Sequence, residues 1–255
     1  MRGSREHCVK SFFDPSRAIL EPRSLVTSFT RKTEEELALP ERAIITFSNG
    51  DLRRLTEKEQ VPAVVPWQPF RTIYSLSPST IVVNSFFGGP NIAALVEELA
   101  SFGVREFILW GYCGGISTSS RIGSLYIAER ALREDGISYH YLEDDNEFVS
   151  SDWVKEWSLV AEHEGFQCAD VWSTDAIYRE TRKKIADYAQ RGITAVEMET
   201  ASLYAVCQAK GLKAAAFLIV SDLVNTAVWQ GGFHTRPFKE SVRTMARFIR
   251  EKAVL

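Results

Sequence analysis

From about residue 42 onward, short apolar runs alternate with amphipathic stretches. Residues 42–47 (R-A-I-I-T-F), 80–86 (T-I-V-V-N-S-F), 106–110, 122–128, 168–172, a run ending at Val196, and 214–220 are short and nearly continuously apolar, as strands buried on both faces should be. Between them, 153–164 and 179–190 follow helical spacing. So does the segment opened by Pro90 and closed at Gly103, and so does 237–252. Residues 61–78, rich in proline and aromatics, predict irregular loop and a short edge strand, and 142–148 an acidic surface loop. Strand and helix alternate without an internal repeat, which predicts one doubly wound α/β domain over 41–255 preceded by a charged, proline-bearing arm over 1–40.

Composition narrows the function classes. The chain has 255 residues, 45% apolar and 25% charged, enough for one large core. A net charge of −3 gives no electrostatic footprint for nucleic acid or an anionic membrane. No apolar run approaches the roughly 18–20 residues that span a bilayer, and the basic start lacks the apolar stretch of a secretory signal. Cys8, Cys113, Cys168 and Cys207 are far apart and show no metal-ligand spacing, so reduced thiols in a cytoplasmic protein are the expectation.

Residues 192–224 concentrate the chemistry. An apolar strand delivers Glu197, Met198 and Glu199, a helix ending at Lys210-Gly211 carries the chain back, and a second strand delivers Ser221 and Asp222. If the strands are parallel and joined by a right-handed crossover, Glu199 and Asp222 meet at the carboxyl edge of the sheet, where open α/β sheets bind ligands. Each carboxylate also has a plain role: Glu199 favours a helix's first turn, and Asp222 is a common cap or turn residue. Elsewhere, Gly50 at a strand end with Arg54 four residues on could hold an anion, although N-G-D is also a turn signal. The glycines from Gly111 to Gly115 could cradle an anion with backbone N–H groups. His140, between two tyrosines, and His7 are within the set that could reach a ligand. A structural or exposed role explains each of them as simply.

E-M-E after one strand and S-D after the next, backed by G-G-P…E-E-L, closely resemble the nucleoside phosphorylase and nucleosidase family over roughly residues 42–252. The resemblance implies a mixed central sheet flanked by helices on both faces. It also implies a homo-oligomer, dimer-based and in some members hexameric, whose neighbours complete each pocket. It implies phosphate as co-substrate and no other cofactor. On this pattern Glu199 grips the sugar hydroxyls, Met198 packs on the ribose, Asp222 protonates the leaving base, and Ser221 orients Asp222 or touches the base. Glu197 and Tyr112 join the substrate contacts, and His140 is added as a further ligand contact. Gly50, Arg54 and Gly111 hold phosphate. Ile177 falls on the position that stacks on the base, with Tyr178 beside it. The residues that uridine phosphorylases use to read uracil fall on Thr181 and Lys183, and those enzymes lack an acid at the Asp222 position, so the resemblance favours a purine.

The chain departs from the phosphorylases at the strand ending near 110. Leu109 replaces an arginine and Tyr112 a serine or threonine, both of which bind phosphate in the family. One lost charge-assisted contact is worth about 1.5–3 kcal/mol. Three readings stay open: a phosphorylase releasing free base and ribose 1-phosphate, a nucleosidase using water on the same carboxylates, and a catalytically inactive nucleoside-binding protein. For catalysis, Asp222 must hold or share a proton near neutral pH, and Glu199 must offset positive charge developing on the sugar.

Overall fold

The computed structural model describes residues 12–56, 61–225 and 228–254. His7 and Cys8 fall outside these. In chain order the elements are α1 (Pro22–Thr30), β1 (Arg42–Thr46), α2 (Asn49–Thr56), β2 (Ile73–Ser77), β3 (Thr80–Asn84), α3 (Gly89–Ser101), β4 (Glu106–Gly115), β5 (Leu125–Glu134), α4 (Ser138–Tyr141), β6 (Phe148–Ser150), α5 (Val154–Glu162), β7 (Phe166–Thr174), α6 (Arg182–Gln190), β8 (Ala195–Glu197), α7 (Thr200–Lys210), β9 (Lys213–Leu223), β10 (Gln230–Gly231) and α8 (Arg236–Phe248). Among the described residues no helix is long and apolar enough to cross a membrane.

The strands form one mixed sheet in the order β10-β9-β5-β7-β8-β4-β1-β3-β2, with helices on both faces. Because β9 also pairs with β4, strands β4, β9, β5, β7 and β8 close into a ring, and β1, β3 and β2 continue outward from it. β9 borders β4 in parallel along its whole length, from Glu106↔Lys213 to Gly115↔Leu223. The other edge of β4 is divided. β1 covers it in parallel as far as Leu109, and β8 covers Gly114 and Gly115 in antiparallel. Between them the described strands leave that edge open.

Two expectations about direction and length are corrected. β8 runs antiparallel to β4, and therefore to β9, so the 192–224 stretch is not a parallel crossover. The strand expected to end at Trp110 continues: β4 runs through Gly115, and β9 runs past Asp222 to Leu223. The glycines serve close approach. A Cβ at Gly115 would come within 2.8 Å of Leu223 Cδ2 and Ser120 Cβ, and one at Gly114 within 3.1 Å of Val196 Cγ1.

Helices α3 and α7 pack directly on one another. Gly89 permits this, because a Cβ there would lie 2.2 Å from Ser202 Oγ. Tyr204 of α7 donates its hydroxyl to the Ala128 carbonyl at 2.6 Å and accepts from the Ala216 N–H, riveting the helix to the ring. Elsewhere an aromatic cluster of Trp157, Phe166, Phe217 and Phe248 joins α5, β7, β9 and α8. The segment before β1 is tied down as well: Leu37 and Val26 are buried, Trp67 Nε1 donates to the Leu37 carbonyl at 3.1 Å, and the Leu39 N–H donates to the Phe102 carbonyl.

Candidate functional site

β9 reaches the site with an irregularity. Its register against β4 steps from Cys113↔Val220 to Gly114↔Asp222, so Ser221 is an extra residue and the strand bulges. A bulge breaks the strict alternation of side chains and re-aims the residues beyond it. Ser221 and Asp222 therefore sit inside the strand at a bulge, rather than at its tip as expected. The Ser221 hydroxyl lies 2.7 Å from Asp222 Oδ1 and 3.3 Å from the Cys113 carbonyl. Trp229 donates its indole N–H to Asp222 Oδ2 at 2.8 Å. The Trp229 segment is held by β10, in which Gly231 pairs with Asp222, and by the Gly232 N–H on the Ser221 carbonyl at 2.7 Å. Asp222 is half-buried with a donor on each oxygen.

β8 ends where α7 begins, and that junction positions the other two acids. Glu197 is buried and accepts from the Glu199 and Thr200 N–H groups and the Thr200 hydroxyl, each at 2.8 Å, and from the Ser173 hydroxyl. A carboxylate against the first N–H groups of a helix is favoured by both hydrogen bonding and the macrodipole. Glu197, expected among the substrate contacts, is thus engaged as the anchor of α7. Glu199, also buried, takes the Gly88 N–H on Oε1 at 2.6 Å, which binds the head of α3 to the head of α7. Burial first, and then the charge of Glu197, push the Glu199 carboxyl up to about 8. Burial raises Glu197 too, but its four donors oppose this, so Glu199 is the better host for a proton shared by the pair.

Gly114 of β4 connects the two strands. It pairs with Val196 on one side and with Asp222 on the other, so the ends of β8 and β9 are about two strand spacings, roughly 10 Å, apart. That gap suits one nucleoside. Met198 is half-buried beside Glu199. A fourth carboxyl, Glu180, is half-buried in the loop after β7. Burial and then the Asp222 charge push it up to about 7. Motif matching overlooked Glu180 because the family's base-reading positions fall on Thr181 and Lys183. Trp229 was overlooked as an ordinary loop aromatic. On the loops after β3, after β7 and before β10, Phe86, Phe87, Ile177, Tyr178 and Trp229 are exposed, Tyr178 at 95% and Trp229 at 62%. The base-stacking candidates Ile177 and Tyr178 form a short 3-10 turn there.

At the opposite end Gly50 lies in the first turn of α2, where backbone N–H groups lack partners within the helix, and Arg54 comes one turn later. Both are exposed. Gly50 is helical rather than a strand-end turn residue. Tyr112 reaches α2 from β4. Its hydroxyl donates to Asp51 Oδ2 at 2.5 Å, and its ring rests 5.2 Å from Phe238, so the hydroxyl is engaged within the fold. Asp51 is 3% exposed, and burial raises its carboxyl. Leu109 is fully buried. Gly111 sits within β4 opposite Leu218. In an extended strand successive N–H groups point to opposite edges, so the Gly111–Gly115 run does not form the converging cradle expected of it. His140 stacks on Phe12 with ring centroids 5.1 Å apart, a contact with the N-terminal segment. Arg71 is ion-paired with Glu98 at 2.9 Å.

Residues 41–252 match the family described as the phosphorylase superfamily. The chain is 31% identical over 147 residues to guanosine phosphorylase of Halorubrum lacusprofundi, covering 54% of this chain and 59% of that one. It is 32% identical over 153 residues to the DeoD-type purine nucleoside phosphorylase of Bacillus cereus, covering 57% and 64%. It is 30% identical over 191 residues to uridine phosphorylase of Thermococcus kodakarensis, covering 67% and 69%. The matched stretch spans less than two thirds of the guanosine and purine relatives' length. With E-M-E and S-D set on either side of Gly114 and the match running from β1 to beyond α8, the chain belongs to the phosphorylase superfamily, the family of the nucleoside phosphorylases.

Proposed function

We propose that this protein cleaves the N-glycosidic bond of a purine nucleoside with phosphate as acceptor, giving free base and ribose 1-phosphate. The observation that carries the reading is the placement of Glu199, two residues past the end of β8, and Asp222, within β9, on either side of Gly114. In the reaction the C1′–N9 bond breaks with its electron pair leaving on the base, and a phosphate oxygen bonds to C1′. Positive charge builds on the sugar and negative charge on the base. Glu199 accepts from the sugar hydroxyls and offsets the first, while Met198 packs against the ribose. Asp222, oriented by Ser221 and Trp229, delivers a proton to N7 and neutralises the second, a contribution of about 10²–10⁴-fold. The first turn of α2 with Arg54 is the anion end. Ile177 and Tyr178 cover the base. The relatives are named for guanosine, purine nucleosides and uridine, and the acid at Asp222 supports the purine among them. No cofactor beyond phosphate enters this scheme, and the exposed aromatics at the mouth suit a pocket completed by a second copy of the chain.

A second reading is favoured by one specific contact. Tyr112 is hydrogen-bonded to Asp51 beside Arg54, and Leu109 is apolar and buried, so phosphate would have fewer donors than in its relatives. Water could then attack C1′ with the same two acids at work. Incubation with inosine, adenosine and guanosine, with and without phosphate, decides. Base release that requires phosphate and yields ribose 1-phosphate supports phosphorolysis, and release without phosphate supports hydrolysis. Binding without release supports an inactive nucleoside-binding protein.

A further inference from the structure

Glu197 and Glu199 are both buried, and among the described residues neither is ion-paired with Lys, Arg or His. Two neighbouring buried carboxyls without a cation share a proton rather than both ionise. Which of them holds it depends on the direction of the hydrogen bonds around them. On Glu197 Oε2 the backbone settles the matter, because the Glu199 and Thr200 N–H groups at 2.8 Å can only donate. On Glu197 Oε1 the one partner among the described residues is the Ser173 hydroxyl, a group that can donate or accept. Ser173 is fully buried near the end of β7, and the parallel pairing of β7 with β8 sets it directly opposite Glu197. Its oxygen already accepts the Ala201 N–H of α7 at 2.9 Å, and Glu197 Oε1 is the acceptor bonded to its proton. The Ser173 hydroxyl therefore points at Glu197 as a donor.

We propose that Ser173 is a positioning residue that assigns the proton shared by the two acids: by donating to Glu197 Oε1 it keeps Glu197 as the charged anchor of α7 and leaves the proton to Glu199. Its consequence for turnover rests on the nucleoside-cleavage reading above, in which Glu199 must lose that proton to offset the charge developing on the sugar. The same hydroxyl caps the start of α7 through Ala201, so the helix that presents Glu199 and the proton that masks it are set by one group. Without the hydroxyl, Oε1 faces no donor among the described residues and can itself carry the proton. A form with Glu197 neutral and Glu199 ionised then becomes populated. The titratable groups around the pair are Cys113 on β4, Tyr204 on α7, Asp175 in the loop after β7, and Asp135, which accepts from Ser202 of α7, with Asp222 beyond Gly114. Burial raises the Cys113 thiol and the Tyr204 hydroxyl, which stay neutral, and none of these groups is a cation that could take over the part of Ser173.

The test reads the two carboxyls separately, by nuclear magnetic resonance of the full chain isotope-labelled at its glutamate side-chain carboxyl carbons. Between about pH 5 and about pH 9 the wild-type Glu199 signal should cross the full span of carboxyl ionisation while the Glu197 signal stays at the carboxylate position. In Ser173→Ala the Glu197 signal should titrate as well, and Ser173→Thr, which keeps the hydroxyl, should restore the wild-type pattern. In turnover of inosine, wild-type kcat/KM should fall about fiftyfold from about pH 8 to about pH 6, following the ionised fraction of an acid near 8. In Ser173→Ala the fall should level off within about fivefold. A merely structural role would lower the whole curve in parallel, and parallel curves overturn the proposal. A Glu197 signal that titrates in the wild type overturns it too, whether or not the variant folds. If the wild type cleaves no nucleoside, the cleavage reading fails on its own, and the carboxyl titration, recorded without ligand, still decides the role of Ser173.

Discussion

The Gly88 N–H meets Glu199 Oε1 at 2.6 Å across 111 residues of sequence, and through that contact the heads of α3 and α7 share one acid. The same carboxyl is the proposed grip on the sugar. One group therefore serves both: Oε1 ties α3 to α7, and the same carboxyl is the one proposed to meet the sugar.

Titration of Glu199 should be visible in stability. Its folded carboxyl lies near 8 against an ordinary value of 4.5, so between those pH values the folded chain keeps a proton that the unfolded chain has released. The stabilisation attached to that proton is complete below about pH 4.5 and is lost as pH rises through about 8. Glu180, pushed up to about 7, acts with the same sign. Thermal melts from about pH 5 to about pH 9 should show Tm falling, and Glu199→Gln should flatten the curve. A slope unaltered in that variant would remove Glu199 as its source. Activity should run the opposite way, because only the ionised acid offsets the positive charge developing on the sugar: kcat/KM should climb toward about pH 8.

Glu197 is expected to matter for folding rather than turnover. Glu197→Ala leaves buried donors of α7 and Ser173 unpaired, at about 1–3 kcal/mol for such a group. The total should be at least about 3 kcal/mol, and with about 2–4 °C per kcal/mol for a chain of this size Tm should drop by about 6–12 °C. Calorimetry checks this. A drop under about 2 °C would mean that Glu197 does not anchor the helix.

Alternation of strand and helix was legible because apolar runs and 3.6-residue spacing are local signals. The direction of β8 was not: it is three residues long, and its partners β4 and β7 are distant in sequence. Glycines 111, 114 and 115 read as an anion cradle past the end of a strand because a glycine-rich run suggests exposed backbone N–H groups. Here the need for glycine is set by Val196, Leu223 and Ser120 across the sheet, which no local pattern encodes. The bulge at Ser221 is likewise a register between strands. E-M-E and S-D were found because they are contiguous motifs. Trp229 was missed because it acquires meaning only through its bond to Asp222.

Trp229 should govern how Asp222 is presented. A Cβ at Gly231 would lie 2.7 Å from the Trp229 ring, so Gly231→Ala must displace the indole or the strand. Trp229→Phe removes the N–H while keeping an aromatic ring. Both variants should lower kcat by about threefold to thirtyfold, a loss of roughly one hydrogen bond, with little change in Tm. Unchanged kcat in Trp229→Phe would show that Ser221 alone positions the acid.

The Tyr112–Asp51 bond separates the two acceptors. Tyr112→Phe leaves Asp51 buried without that donor and should cost about 1–3 kcal/mol of stability. Tyr112→Ser opens space beside Arg54 and should strengthen the dependence of base release on phosphate. A phosphate KM identical in wild type and Tyr112→Ser would show that the tyrosine does not border the anion.

The role of Asp222 as the acid that discharges the leaving base is tested most directly by single-turnover release of hypoxanthine from inosine by the wild-type protein and by Asp222→Asn. Release should be at least about tenfold slower in the variant, with an unchanged melting temperature. Release at the wild-type rate would contradict that role.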